Sequence, residues 1–360
     1  MKTDFKLFPI GTVFNPLKQV VSRSLDYTIQ EVDIKFPSRL NAMAIDPSKI
    51  VSNNNLVYTP GEITFVIDIF TNVSIKKSST AGLSISDTTQ RKSLVSHAFL
   101  LMQKAIGFED GLHISVSKSL DMRHCGLGSS SNLIASVSVA INELYGKPID
   151  DKELVRYCAQ NHGEEIDGND EELVPVQSIG GSAAAGLVSG GMQVLAGESV
   201  VIKNMNISDE YSVVIGIPKD YVPLDAKESL DKELSALDGF LNTGKVYGKE
   251  IAYNILHDGL PAMECGNLIP FGNIIFEYRF NMGSINNCSF CYPPIMNIAE
   301  KISFLKHDGY ADVLSLSSVG PGFFAITKDP DFCTKTFESL GMNVYHHKIY
   351  NGTYIYELKK

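Results

Sequence analysis

Residues 126–131, Gly-Leu-Gly-Ser-Ser-Ser, lie between a stretch of strand character at 113–120 and a long amphipathic helix that begins near Asn132. Leu133, Ile134, Val137, Ala140, Ile141 and Leu144 mark one face of that helix, and Gly146, with Pro148 just beyond, closes it. A strand, a glycine loop and a helix in this order restrict the fold strongly. The glycines let backbone N–H groups approach an anion, the helix start adds unpaired donors and the positive end of the dipole, and serine hydroxyls can bond phosphate or ligate Mg2+. No Gly-Lys-Ser/Thr follows, so the loop is not a Walker A motif, and it lacks the third glycine of a Rossmann fingerprint. The bland alternative is a serine-rich helix cap, which would use one serine and ignore the glycines.

The remainder of the chain has mixed α and β character without a repeat. Residues 63–75, rich in β-branched and aromatic types, predict a strand. Apolar positions Leu94, Val95, Ala98, Phe99, Met102 and Ile106 predict a helix over 91–106, closed by Gly107. A helix at 150–161, an acidic connector at 166–175, a strand at 213–217 and helices around 230–240, 268–280 and 294–305 complete the pattern. At 360 residues the chain exceeds the usual size of one core, so two lobes are expected, 1–205 and 206–360.

A formal net charge of -10 argues against a sequence-independent grip on nucleic acid, which needs clustered cations. A small phosphorylated ligand held by backbone donors and a metal stays compatible with that charge. The N-terminus lacks the apolar stretch of a signal peptide and no later run is long enough to span a bilayer, so a cytoplasmic protein without membrane contact is expected. Six cysteines are too sparse for a disulfide framework, and the Cys288/Cys291 pair lacks the partners of a zinc or redox site, which favours buried or idle thiols.

Arginine forks suit carboxylates and phosphates, which makes Arg39 and Arg123 candidate clamps against the alternative of surface ion pairs. His124, two places before the loop, could donate to phosphate or act as an acid or base, and a structural role is the alternative. Ser178, Gly180 and Gly181 open a run of small residues to Gly191 that must lie closely against backbone or ligand. Ser317, Ser318 and Gly320 fall in a turn between two apolar segments.

The loop resembles that of the GHMP kinase superfamily, and motifs from 36 to 330, including Ser38-Arg39-Leu40-Asn41, extend the resemblance. Within the superfamily the chain looks most like the branch of β-ribofuranosylaminobenzene 5'-phosphate synthase and related C-nucleoside synthases. Four features carry this: His124 before the loop, the run 178–191, Leu-Pro-Ala-Met-Glu-Cys-Gly-Asn at 260–267 followed by Phe271 and Glu277, and Ser-Ser-Val-Gly-Pro at 317–321. Ser129-Ser130-Ser131-Asn132 departs from the branch and is kinase-like.

The resemblance implies an α+β fold in two lobes, a phosphate-binding one and a ferredoxin-like one, with the site between them. It implies phosphate binding by Gly126, Leu127, Gly128, Ser129, Ser130 and Ser131, and substrate contacts from Arg123, Ser178, Gly180, Gly181, Ser317, Ser318 and Gly320. His124, Glu164 and Arg39 become catalytic candidates, with Ser131 and Glu164 holding Mg2+. Glu165, Asp167 and Asp170 share the acidic stretch with Glu164, and a solvated acidic turn is the alternative there. The implied reaction joins phosphoribosyl diphosphate to a small aromatic carboxylic acid with release of diphosphate and carbon dioxide. An ATP-dependent small-molecule kinase is the second expectation and a non-catalytic nucleotide or sugar sensor the third. The expected partners are small molecules, and a homodimer is an assembly the sequence allows.

Overall fold

A computed structural model describes residues 7–17, 24–50, 60–118 and 125–360. In chain order its strands and main helices are β1 (Phe8–Pro9), β2 (Glu31–Ala44), β3 (Glu62–Ser78), β4 (Leu83–Ile85), α1 (Lys92–Ile106), β5 (Gly111–Lys118), α2 (Ser129–Leu144), α3 (Asp151–Gln160), β6 (Gly163–Ile166) and β7 (Asn169–Pro175). There follow α4 (Gly181–Leu187), β8 (Met192–Ala196), β9 (Val200–Met205), β10 (Ser212–Pro218), α5 (Ala226–Ser235) and α6 (Leu237–Asn254). After a series of shorter helices come β11 (Val313–Leu316), β12 (Phe323–Thr327), a helix at Pro330–Ser339, β13 (Met342–His347) and β14 (Ile355–Lys359).

β3 organises the first lobe because it is long enough to serve two sets of partners. Its second half pairs with β5 and its first half with β8, while β2 runs along nearly all of it. The resulting seven-stranded sheet has the path β14-β2-β3-β5-β4, with β8 and β9 added beside β3. Helices α1 and α2 cover this sheet through the predicted apolar stripes, which are buried against Val32, Ile34, Val73 and Ile75. A second, four-stranded antiparallel sheet, β11-β12-β10-β13, builds the other lobe with the helices between 226 and 307.

β2 suffers register shifts between Pro37 and Ser38 and between Asn41 and Met43. Irregularities of this kind re-aim side chains, and Arg39 and Asn41 lie between the two.

Several expectations are corrected. The helix predicted near Asn132 starts at Ser129, so all three serines belong to its first turn. The acidic connector is the antiparallel pair β6–β7, with Glu164 opposite Val174. The helix predicted over 230–240 breaks at Ala236, where α5 ends and α6 starts. Strands change sheet between Met205 and Ser212, but β14 returns to pair with β2, so the final residues belong with the first sheet and not with a lobe 206–360. Among the described residues no helix is long and apolar enough to cross a membrane.

Candidate active site

The loop is held in a shape that demands its glycines. Gly126 has φ +84° and Gly128, the N-cap of α2, has φ +63°. A Cβ on Gly126 would lie 2.2 Å from the carbonyl oxygen of Ser317, and one on Gly128 would lie 2.5 Å from Ser182 Oγ and 2.9 Å from Arg39 Nη2. The β11–β12 turn and the re-aimed segment of β2 thus press on the loop from two sides. Among the described residues no side chain caps α2, which disfavours the plain serine cap and leaves the first-turn N–H groups to a ligand.

Beneath the first turn lies a residue that sequence inspection missed. Arg91, at φ +56° before α1, is 5 % exposed and donates to Ser129 Oγ (3.1 Å), Ser130 Oγ (2.7 Å) and Glu164 Oε1 (2.5 Å), while its Nε donates to Glu165. Ser130 Oγ also donates to Glu164 Oε1 at 2.8 Å. A cation at a helix N-terminus opposes the dipole unless acids compensate it, so Arg91-Lys92 at the start of α1, with Glu164-Glu165 downstream, was the available signal. Ser131 was expected to share a metal with Glu164, but its hydroxyl donates to Ser182 Oγ (2.8 Å) and Gly128 O (3.2 Å); the hydroxyl beside Glu164 is that of Ser130. His162, buried in the same wall, has no partner for Nδ1. Burial pushes its pKa down to about 4, Glu164 opposing and Arg91 reinforcing.

Against the loop, Arg39 donates through Nη1 to Gly126 O at 3.1 Å, and among the described residues its buried Nε lacks a partner. Burial lowers its pKa and Glu62 opposes the shift. Glu62, itself buried, accepts from Gly181 N (2.6 Å) and from Asn41 Nδ2. Arg279, 3 % exposed in a π-helical turn at Glu277–Asn281, was also missed. It donates to Ala42 O (2.6 Å), Ser284 Oγ (3.1 Å) and Asn41 Oδ1 (3.3 Å), none of them charged. Its sequence neighbourhood, Phe276-Glu277-Tyr278-Arg279-Phe280, carries no motif that marks the arginine, and the widened turn that aims it is not legible there.

These groups line a cleft of about 540 Å3, within the range of small-ligand sites. Of the predicted contacts, Arg39, the whole loop, Glu164, Ser178, Ser318 and Gly320 face it. Three do not. Ser317 stands behind the loop and donates to Gly126 O at 2.8 Å, while Gly180 is the N-cap of α4 and Gly181, its first residue, donates its N–H to Glu62. Arg123 and His124 lie outside the described residues. α5 closes the other side with Leu230 and Glu233, whose carboxyl burial pushes upward in pKa. Cys291 lines the cleft, and the buried Cys288 thiol is pushed up to about 12, which suits inert thiols.

The family model for the N-terminal domain of GHMP kinases matches residues 93–171, which include the loop, Glu164 and Glu165. A homoserine kinase structure from Cytophaga hutchinsonii superposes over 92% of this chain and 99% of its own, with TM-score 0.59 and 15% identity. The fold is that of the GHMP kinases. Two homoserine kinases resemble this chain in sequence: that of Methanococcus maripaludis is 24% identical over 255 residues, 70% of this chain and 75% of the relative. That of Thermoplasma volcanium is 27% identical over 118 residues, spanning 33% of this chain and about a third, 35%, of the relative. The matches support the superfamily and not the C-nucleoside synthase branch. The expected decarboxylating phosphoribosyl transfer to an aromatic acid is therefore corrected: the sequence relatives are homoserine kinases, and the branch features do not outweigh them.

Proposed function

We propose that the chain is an ATP-dependent small-molecule kinase of the GHMP type, a transferase that phosphorylates a hydroxyl on an acceptor bearing an anionic group. The observation that carries this is the glycine loop at the start of α2, opening on a cleft that Arg39, against the loop, and Arg279 both line. Phosphoryl transfer depends mainly on positioning and on neutralising charge, with little covalent work for the protein. The unpaired N–H groups of α2 receive phosphate oxygens, and Arg39 beside Gly126 supplies a fixed donor at the loop. Arg279 has no carboxylate partner among its bonds, which suits an acceptor anion as its counter-charge. The sequence relatives make an amino acid with a free hydroxyl the first acceptor to try.

Mg2+ fits the loop's donor set. The oxygens of Glu164 and Ser130 are hard donors of the kind Mg2+ takes. Those two residues would hold it, and it would neutralise charge on the transferring phosphates.

ADP formation by the purified chain should require both ATP and a hydroxyl-bearing acid such as homoserine. Arg279→Met should raise the acceptor KM by roughly tenfold, the scale of one lost charged contact, with ATP binding unchanged; a higher KM for ATP alone would remove Arg279 from the acceptor side. No ADP with any such acceptor, and no thermal stabilisation by ATP with Mg2+, would overturn the kinase proposal.

Gly126→Ala should cost about a hundredfold in kcat/KM, since an atom misplaced by about 1 Å loses that much. The new methyl meets backbone, not a flexible side chain, and the loop must move. Unaltered kinetics would mean that the loop does not touch the reacting phosphates.

A further inference from the structure

Glu62, the first residue of β3, is 1% exposed and yet lines the cleft. Taking a carboxylate out of water is costly unless its charge is met, and its two bonds, from Gly181 N to Oε1 at 2.6 Å and from Asn41 Nδ2 to Oε2, come from uncharged donors. Arg39 is near enough for the two charges to act on each other, but among the described residues it does not bond Glu62 and reaches Gly126 O instead. One acceptor site on each carboxylate oxygen is left over. Two chains of contacts fix where this carboxylate stands. Towards the phosphates, Gly181 leads to Ser182, whose Oγ accepts from Ser131 Oγ at 2.8 Å and lies 2.5 Å from the place of a Cβ on Gly128. Towards the acceptor, Asn41 gives its amide N–H to Glu62 and takes through Oδ1 a bond from Arg279 Nη2 at 3.3 Å.

An acceptor whose anion rests on Arg279 and whose hydroxyl points at a phosphate on the loop therefore carries that hydroxyl past Glu62. Resting on the kinase reading, we infer that Glu62 is the general base that takes the proton of the acceptor hydroxyl. As the acceptor oxygen bonds to the γ-phosphorus of ATP, its proton passes to a free lone pair of the Glu62 carboxylate. The bond from that phosphorus to the bridging oxygen breaks, and its electron pair leaves with ADP. Glu62 then returns the proton to solvent, so that the sum is acceptor and ATP to phosphorylated acceptor, ADP and one proton. Arg39, between Glu62 and the loop, stands where it can meet charge on the transferring phosphate while leaving the carboxylate free to accept.

Steady-state ADP formation by the full chain with ATP, Mg2+ and homoserine, alongside thermal stabilisation by ATP with Mg2+, tests the assignment in two variants. Glu62→Gln keeps the length of the side chain and removes the base. It should lower kcat by about a hundredfold or more, the scale of a lost general base, while the homoserine KM and the stabilisation by ATP stay as in the wild type. Glu62→Asp keeps a carboxylate one methylene further back and should retain more of kcat than Glu62→Gln does. A side chain that only braced Gly181 and Asn41 would give the opposite order, because glutamine matches its reach and aspartate does not. Glutamine above aspartate would therefore overturn the inference, and so would a Glu62→Gln variant as fast as the wild type. A wild type that forms no ADP would overturn the kinase reading and this inference with it, whereas an active wild type with an equally active Glu62→Gln removes Glu62 alone.

Discussion

Arg91→Met should destabilise the chain by on the order of 3–5 kcal/mol, the usual cost of removing one partner from a buried ion pair. Arg91 is the sole cation bonded to Glu164 and Glu165 in the contacts described, and both carboxylates are themselves mostly buried, at 16 % exposure. Methionine fills part of the volume but leaves two carboxylates side by side below Ser129 and Ser130 without the guanidinium that bridged them, although Ser130 Oγ still donates to Glu164 and Ser93 Oγ to Glu165. The first turn of α2 should then loosen, and ATP binding should fall along with stability. Urea unfolding of the wild type and variant measures the cost, and two companion results identify its cause. Arg91→Met combined with Glu165→Gln should recover part of the loss, and the deficit should narrow as acid protonates the carboxylates. A cost below about 1 kcal/mol, the level of a surface pair, would show that the cluster is not the brace of the loop.

The same cluster shows where sequence inspection succeeds and where it stops. The unit of strand, glycine loop and helix was legible because local rules alone dictate it: positive φ needs glycine, and the apolar spacing from Leu133 to Leu144 is helical, although the helix is buried on every side and not on one face alone. Glu164 was placed at the loop by family resemblance, and the structure sets it against Ser130. Arg91 was hidden because its partners stand 38 to 74 positions away, a separation at which no periodicity speaks. Arg279 was hidden for a different reason. Its orientation depends on a π-helical turn and on Ala42 and Asn41, more than 230 positions earlier. β6 and β7 looked like an acidic connector because β7 shows no alternation: its acids are exposed or half-buried and only the adjacent Leu173 and Val174 are buried. The branch assignment failed on function because motifs of small residues, such as 178–191 and 317–321, report close backbone packing more than they report chemistry: Gly181 and Ser317 brace the site from behind.

Acidification should unfold the protein through two histidines that are buried neutral. Burial pushes both His97 and His162 down to about 4 from an ordinary 6.5. His97 Nδ1 accepts from Gly11 N at 2.8 Å, and Nε2 lies 2.8 Å from Asn161 O, so the neutral ring with its proton on Nε2 satisfies both neighbours. A second proton would set two donors face to face, with Lys104 adding repulsion. Between pH 4 and 6.5 the unfolded chain therefore binds protons that the folded chain refuses, and stability falls as pH drops through that window. The gap corresponds to about 3 kcal/mol for each ring once pH is below 4, and to about half of that near pH 5. Unfolding free energies by urea at pH 7.5 and 5 should show the loss. His162→Gln, which cannot take up the proton, should flatten the slope by the share of one ring. An equal slope in wild type and variant would mean that His162 takes up its proton alike in the folded and unfolded chain, so that burial does not hold it neutral.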